Sequence, residues 1–200
     1  MVDAAGAPDL NRRLADAVER LGNGVRALAQ RSARDCGLTP LQQQVVLALV
    51  RQPPVRNEVT VLAAEFDVTR PTMSDAVAAL ERKGIIDRSA SSDGRRRVLS
   101  LTAEGLAVAD RLQVWDAPVT EALDRIPVDD RAVVLQSLLG TIADLQRRGV
   151  ISVARVCPSC RFFERDAHDD AAAPHHCSLL EVALPPADLQ SDCPEHHPAA

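Results

Sequence analysis

The sequence contains no tyrosine, a single tryptophan and no long apolar run among its 200 residues. The longest apolar stretch extends from Val45 to Val50, whereas a membrane-spanning helix needs about 20 such residues. Residues 1–10 lack the basic start and the apolar segment of a secretory signal. Glycine and proline, with 9 and 13 residues, are too sparse for a low-complexity chain. We therefore expect a soluble, cytoplasmic, globular protein.

Histidine is absent from residues 1–156, and this region contains one cysteine, Cys36. All five histidines and the other four cysteines lie in residues 157–200, whose net charge is −6, whereas residues 1–156 carry +1. We therefore divide the chain into a body, residues 1–148, and a tail, residues 149–200. The body has no histidine, phosphate-binding glycine loop or Ser-His-Asp set for proton transfer near pH 7, so we do not expect an enzyme.

The two ends of the body are predicted to be long amphipathic helices. In residues 9–33 the apolar residues follow a 4-3-4-3 spacing that forms one narrow seam: Leu14, Val18, Leu21, Val25 and Leu28. A narrow seam needs a partner, so we expect a dimerisation helix, with an ordinary core helix as the alternative. The final helix, residues 127–148, has apolar residues on more than one face and is expected to pack both inward and against a second subunit.

The middle of the body predicts a helix-turn-helix. A helix begins at Thr39 with capping signals and ends at Pro53-Pro54. Residues 60–66 and 70–83 then have the spacing of two short helices, separated by a polar turn at residues 67–69.

A β-hairpin is predicted directly after these helices. Residues 85–88 and 96–101 have strand character, and a polar loop that contains three consecutive arginines joins them. A hairpin attached to a helix-turn-helix is a wing, so residues 58–102 predict a winged helix. The expected fold is mainly α with a small β-hairpin wing, flanked by N- and C-terminal dimerisation helices and followed by a metal-bound, loop-rich tail.

The wing and the second short helix together favour binding to double-stranded DNA. From Arg70 to Thr102 the net charge is +3, although the whole chain carries −5. Arginines at a hairpin tip can neutralise phosphates or enter the minor groove, while hydroxyl groups at a helix start can reach base edges. The candidate DNA-binding residues are Thr69, Arg70, Thr72, Ser74, Arg95, Arg96 and Arg97.

Residues 60–105 resemble the winged-helix core of MarR-type transcriptional regulators. The matching pieces are Leu62-Ala63-Ala64, Val68-Thr69, Leu80-Glu81-Arg82-Lys83-Gly84, Asp93-Gly94-Arg95-Arg96 and Leu101-Thr102-x-x-Gly105, with Leu38-Thr39-Pro40-Leu41-Gln42 upstream. The resemblance covers about residues 9–148. It implies a homodimer whose two recognition helices enter successive major grooves of a pseudopalindromic operator. It also implies that Arg70, Thr72 and Ser74 face DNA and that Arg95 and Arg97 anchor the wing.

Two points remain open within this resemblance. The family often senses small molecules, and the sequence does not indicate which effector this chain would bind. Asp75 departs from the family pattern, because an acidic side chain is harder to place near phosphate. We expect Asp75 to pair with a neighbouring base such as Arg70, and contact with a cytosine amino group is the alternative.

The tail cysteines predict a metal site. Cys157 and Cys160 form a C-x2-C pair, and Cys177 and Cys193 follow after gaps of 16 and 15 residues. Clustered thiols in a chain without a secretory signal favour a metal over disulfides. Zinc could use Cys157, Cys160, Cys193 and His196, which leaves Cys177 unused. An iron–sulfur cluster could use all four thiolates, because each thiolate would bind a different iron.

The spacing of the four cysteines, with Phe162 after the pair, is similar to that of high-potential iron–sulfur proteins. We therefore expect a [4Fe–4S] or [2Fe–2S] cluster on Cys157, Cys160, Cys177 and Cys193, with zinc as the alternative. The leading hypothesis is a redox- or metal-responsive DNA-binding regulator. One alternative is a regulator with a purely structural zinc tail. Another is an iron–sulfur electron carrier with a winged-helix interaction domain.

Overall fold

A computed structural model describes residues 9–53, 56–90 and 97–199, with Ala90 described by its backbone alone. Its α-helices are α1 Leu10–Asp35, α2 Pro40–Arg51, α3 Val59–Glu65, α4 Arg70–Arg82, α5 Ala103–Leu112, α6 Ala117–Leu123 and α7 Val128–Arg147. Its strands are β1 Ile86–Ala90, β2 Arg97–Leu101, β3 Phe163–Glu164, β4 His175–Cys177 and β5 Val182–Leu184. Within these described ranges no helix has the length and apolar character needed to cross a membrane.

Helix α2 begins where the capping signals predict. The Thr39 hydroxyl accepts a hydrogen bond from the Gln42 amide at 3.3 Å, and the Gln42 side chain accepts one from the Thr39 amide at 3.2 Å. This reciprocal pair satisfies two backbone donors that a helix start otherwise leaves without partners. The buried face of α2 packs against α1, α4 and α5 in the main core of the body.

The predicted helix-turn-helix is confirmed. Helices α3 and α4 are joined at a turn in which Asp67 has a φ of +50°. Leu62 of α3 and Met73, Val77 and Leu80 of α4 are fully buried, so α4 is fixed to the core along one face. The other face of α4 is available for binding.

The wing is an antiparallel pair in which Ile86 lies opposite Leu101 and Ala90 lies opposite Arg97. The Leu99 amide donates a hydrogen bond to the Asn57 carbonyl at 2.8 Å, so the segment before α3 borders strand β2. Arg95 and Arg96, predicted at the tip of the wing, lie outside the described residues.

The Thr102–Gly105 pair fixes helix α5 against the base of the wing. The Thr102 hydroxyl donates to the Gly84 carbonyl at 2.6 Å and accepts from the Gly105 amide at 3.0 Å. A Cβ atom added at Gly105 would lie 2.0 Å from the Ile85 carbonyl oxygen. Only glycine therefore lets α5 approach the chain this closely.

Replacing Gly105 with alanine should lower the free energy of unfolding by about 1–3 kcal/mol or more, because the obstructing atom belongs to the backbone. Chemical denaturation followed by circular dichroism measures this change. The control is Glu104→Ala, an exposed neighbour on the same helix, which we expect to change stability by about 0.5 kcal/mol or less. Equal stability of the Gly105→Ala variant and the parent would contradict the close-approach explanation.

Helices α5 and α6 are separate, and one sequence expectation about the tail needs correction. Helix α5 ends at Leu112, and Pro118 lies in the first turn of α6. Proline is tolerated there because the first-turn amide has no partner within the helix. The tail was expected to be loop-rich, but it also contains a small antiparallel sheet in the order β3-β4-β5.

The tail packs against α7 and forms a second core. Leu139 and Ala143 of α7 are buried against residues from the start and the end of the tail: Ala154, Val156, Cys157 and Leu189. Val134, Leu138 and Leu145 of α7 remain exposed on another face. Helix α7 therefore holds the tail on one face and leaves an apolar face uncovered in the single chain.

Candidate DNA-binding surface and cysteine pocket

The start of α4 presents polar side chains on the surface. Thr69 caps the helix by accepting a hydrogen bond from the Thr72 amide at 3.2 Å, and the two hydroxyl oxygens lie 2.8 Å apart. Thr69, Arg70 and Thr72 are exposed, whereas Ser74 is half-buried. The exposed amides and the dipole at a helix start favour negatively charged partners.

The wing adds arginines to the same surface. Arg70 and Ser74 of α4 and Arg88 and Arg97 of the hairpin line one open cleft, which residues 58–60 complete. Arg97 is exposed at the first position of β2. The structure therefore brings Arg70, Ser74 and Arg97 together.

Two side chains at this surface, Arg88 and Asp75, behave differently from what the sequence predicts. Arg88 was not singled out, because a lone arginine in a strand carries no signal, yet it lines the cleft and pairs with Glu81 at 2.8 Å. The expected pairing of Asp75 with Arg70 is wrong: among the described residues these side chains form no ion pair, and Asp75 is exposed. They are five positions apart on the helix, whereas helical neighbours are three or four apart.

The four tail cysteines line a single cavity, which we call the cysteine pocket. Cys157, Cys160, Cys177 and Cys193 are free thiols. The other lining residues are mainly apolar: Phe162, Phe163, Leu179, Leu180, Leu184 and Glu195.

Burial raises the pKa of the Cys157 thiol, and the charges of the other three tail thiolates would raise this pKa further. Burial also raises the pKa of Cys193. The Cys157 sulfur accepts a hydrogen bond from the Gln190 amide at 3.1 Å. The fold thus places all four thiols close enough to interact in an apolar environment.

The tail histidines have other partners. The Nε2 atom of His196 lies 2.9 Å from the hydroxyl of buried Ser159. Burial lowers the pKa of His196. His175 is buried against Phe163, and its Nδ1 atom accepts from the Asp166 amide at 3.2 Å. Burial also lowers the pKa of His175. Among residues 9–53, 56–90 and 97–199, no group of three or more His, Cys, Asp or Glu side chains has an arrangement suited to holding one metal ion.

Comparison with known proteins agrees with this architecture. Residues 37–97 match the family model of the MarR family. The matched segment runs from just before α2 to the first residue of β2 and includes the helix-turn-helix. The chain matches none of the curated proteins with which it was compared.

Solved structures extend the similarity beyond this segment. The transcriptional regulator PA3341 is 25% identical, with a TM-score of 0.58 over 68% of this chain and 99% of that chain. The MarR family transcription regulator SP03579 is 21% identical, with a TM-score of 0.57 over 68% and 95% of the two chains. The S. aureus MepR–DNA complex is 18% identical, with a TM-score of 0.57 over 66% and 98%. The body thus has a MarR-type winged-helix fold, and about a third of this chain lies outside each match.

Proposed function

We propose that this protein is a sequence-specific DNA-binding transcriptional regulator that acts as a homodimer. The observation that carries the proposal is the exposed start of α4, whose buried face is fixed in the core beside the arginine-lined cleft. The MarR family match and the MarR-type fold support it. No catalytic step is assigned to the chain.

The geometry of α4 suits a recognition helix in the major groove. Thr72 lies in the first turn of α4 and Ser74 just beyond it, where side chains of a helix-turn-helix reach base edges. Arg70 can donate two hydrogen bonds to guanine, while Arg97 lies beside it on the wing and can neutralise phosphate. Arg95 and Arg96, as neighbours of Arg97 in the sequence, are proposed to extend this contact.

The proposal predicts how two substitutions alter DNA binding. Replacing Arg97 with alanine should weaken binding to every duplex and reduce the slope of log K against log salt by about 1, because one phosphate contact is lost. Replacing Thr72 with alanine should instead change the preferred sequence. Duplexes selected from a random pool, with affinities measured by fluorescence anisotropy from about 50 to 200 mM salt, test both effects.

The matched control is Arg82→Ala at the opposite end of α4, about 18 Å along the helix axis from Arg70. This exposed arginine should leave both the salt slope and the selected sequence unchanged. A parent protein that binds all duplexes weakly and without salt dependence would contradict the proposed function. An unchanged slope in the Arg97 variant would remove Arg97 from the phosphate contacts.

Dimerisation is proposed from the apolar seam of α1. Within α1, which the structure describes in full, Ala33 alone is buried, whereas Leu14 and Val18 are each 56% exposed. Leu10 and Leu21 continue the same exposed seam. A second copy of the chain would cover this seam and the exposed apolar face of α7, because an isolated helix with an uncovered seam is marginal in water.

We also propose that Cys157, Cys160, Cys177 and Cys193 bind an iron–sulfur cluster. Cys177 lines the same cavity as the other three thiols, whereas the zinc alternative leaves it unused and requires His196. The hydrogen bond to Ser159 gives His196 another role. All four cysteines of the pocket are therefore assigned as ligands, and His196 is not.

The lining of the pocket favours a cluster over zinc. Four thiolates around one zinc ion lie at about 2.3 Å from the metal and so within about 4 Å of each other. The four ligands of a cluster are distributed over two or four irons and enclose a larger group. All four thiols line one pocket with an apolar wall of phenylalanine and leucine, and this thiolate-only ligand set suits a cluster. Such a cluster would supply redox chemistry, and the proposed regulator would respond to its state.

A further inference from the structure

The tail contacts the helix-turn-helix as well as α7. Arg155 of the tail forms a part-buried ion pair with Glu65, the last residue of α3. The Ser152 amide donates to the Asp67 carboxylate at 2.9 Å, in the turn between α3 and α4. Both contacts join the tail to the few residues that position the start of α4.

A third contact reaches the segment beside the wing. Arg56, which is buried, pairs with Asp192 of the tail at 2.8 Å. The next residue, Asn57, accepts the hydrogen bond from Leu99 of strand β2. The tail therefore contacts the turn before α4 and the segment that borders strand β2 of the wing.

These contacts are made next to the cysteine ligands. Asp192 directly precedes Cys193, and Arg155 lies two residues before Cys157. The Cys193 amide donates to the Arg155 carbonyl at 2.9 Å, so the backbone segments that hold the two contacts are bonded to each other. Movement of Cys157 or Cys193 would directly displace the groups that hold Glu65 and Arg56.

We infer that the cluster-bound tail acts as a clamp between α7 and the helix-turn-helix, and that loss of the cluster releases the turn before α4. This inference rests on the proposed DNA-binding function and on the proposed cluster. The cluster cross-links the first and last parts of the tail through Cys157 and Cys193. Without that link, the Arg155 and Asp192 contacts lose their fixed positions, and the recognition helices of a dimer change their relative placement.

The test compares DNA affinity with and without the cluster in the full-length protein. In the parent protein we expect the dissociation constants of the cluster-loaded and cluster-free forms to differ by about fivefold or more. In a Glu65→Ala, Asp67→Gly variant the difference should fall to about twofold or less. Glycine removes the acceptor at Asp67 and fits the positive φ of that position. The variant keeps every tail residue, so its cluster absorption should equal that of the parent.

The matched control is Glu104→Ala with Glu121→Ala, which removes one exposed acidic group from α5 and one from α6 and should keep the parent difference. Hydrogen exchange of the parent gives a second readout, because removal of the cluster should increase exchange of amides in residues 62–73. A full affinity difference in the Glu65 and Asp67 variant, or unchanged exchange in the parent, would overturn the clamp. If the protein takes up the cluster but binds DNA in neither the cluster-loaded nor the cluster-free form, the DNA-binding function is refuted instead.

Discussion

Replacing Cys177 with alanine is expected to abolish cluster binding, whereas replacing His196 with alanine is expected to preserve it. Cys177 lines the pocket with the other three thiols, and the tail has no further thiol that could complete the set. His196 contacts Ser159 instead, so its loss should cost about 1 kcal/mol of stability through one hydrogen bond. Anaerobic purification, followed by visible absorption and by iron and sulfide analysis per chain, measures the cluster.

The control for this experiment is Cys36→Ala, which removes the one cysteine of the body. Cys36 is half-buried at the end of α1, and its loss should leave the iron and sulfide content unchanged. A colourless parent with one zinc per chain would contradict the cluster. Loss of metal from the His196 variant together with its retention in the Cys177 variant would support the zinc ligand set.

Replacing Leu14 and Val18 with glutamate is expected to convert the dimer into monomers and to remove measurable operator binding. Complete burial of a leucine or valine side chain stabilises an interface by about 1.5–3 kcal/mol. In a symmetric dimer each copy contributes the residue, so this gain occurs twice. Buried carboxylates on both copies would reverse this gain. A monomer has one recognition helix and therefore contacts only one of the two half-sites of the operator. Light scattering after gel filtration measures the mass.

The matched control places the same two charges on the opposite face of α1, as Asn23→Glu with Gln30→Glu. Both residues are exposed and lie about half a turn from the seam. This variant should elute as a dimer and bind the operator with parent affinity. A parent that is monomeric at micromolar concentration, or a Leu14 and Val18 variant that stays dimeric, would contradict the role assigned to α1.

Local patterns in the sequence were sufficient for most of the body. The capping box at Thr39, the polar turn before α4 and the burial of Met73, Val77 and Leu80 are short-range features, because they depend on residues within a few positions of each other. The Thr102–Gly105 pair was also recognisable as a motif. The close approach to Ile85 that requires glycine there could be seen only after folding.

The tail shows the limit of such patterns. Its short strands have two or three residues each, too few to show an alternation, and the sheet was therefore missed. The cysteine spacing left open whether Cys177 or His196 belongs with the other thiols. In the fold, Cys177 lines the pocket with the other thiols, whereas His196 lies beside Ser159.

The sequence by itself determined the winged helix, the candidate residues at the start of α4 and the presence of a cysteine-rich tail, because periodicity, capping and charge act along the chain. The tertiary structure alone decided where the tail lies. Arg155 and Glu65 are 90 positions apart, and Arg56 and Asp192 are 136 positions apart. Such distant pairs form only because α7 carries the tail back to the helix-turn-helix, and no local pattern marks a residue for a partner that far away.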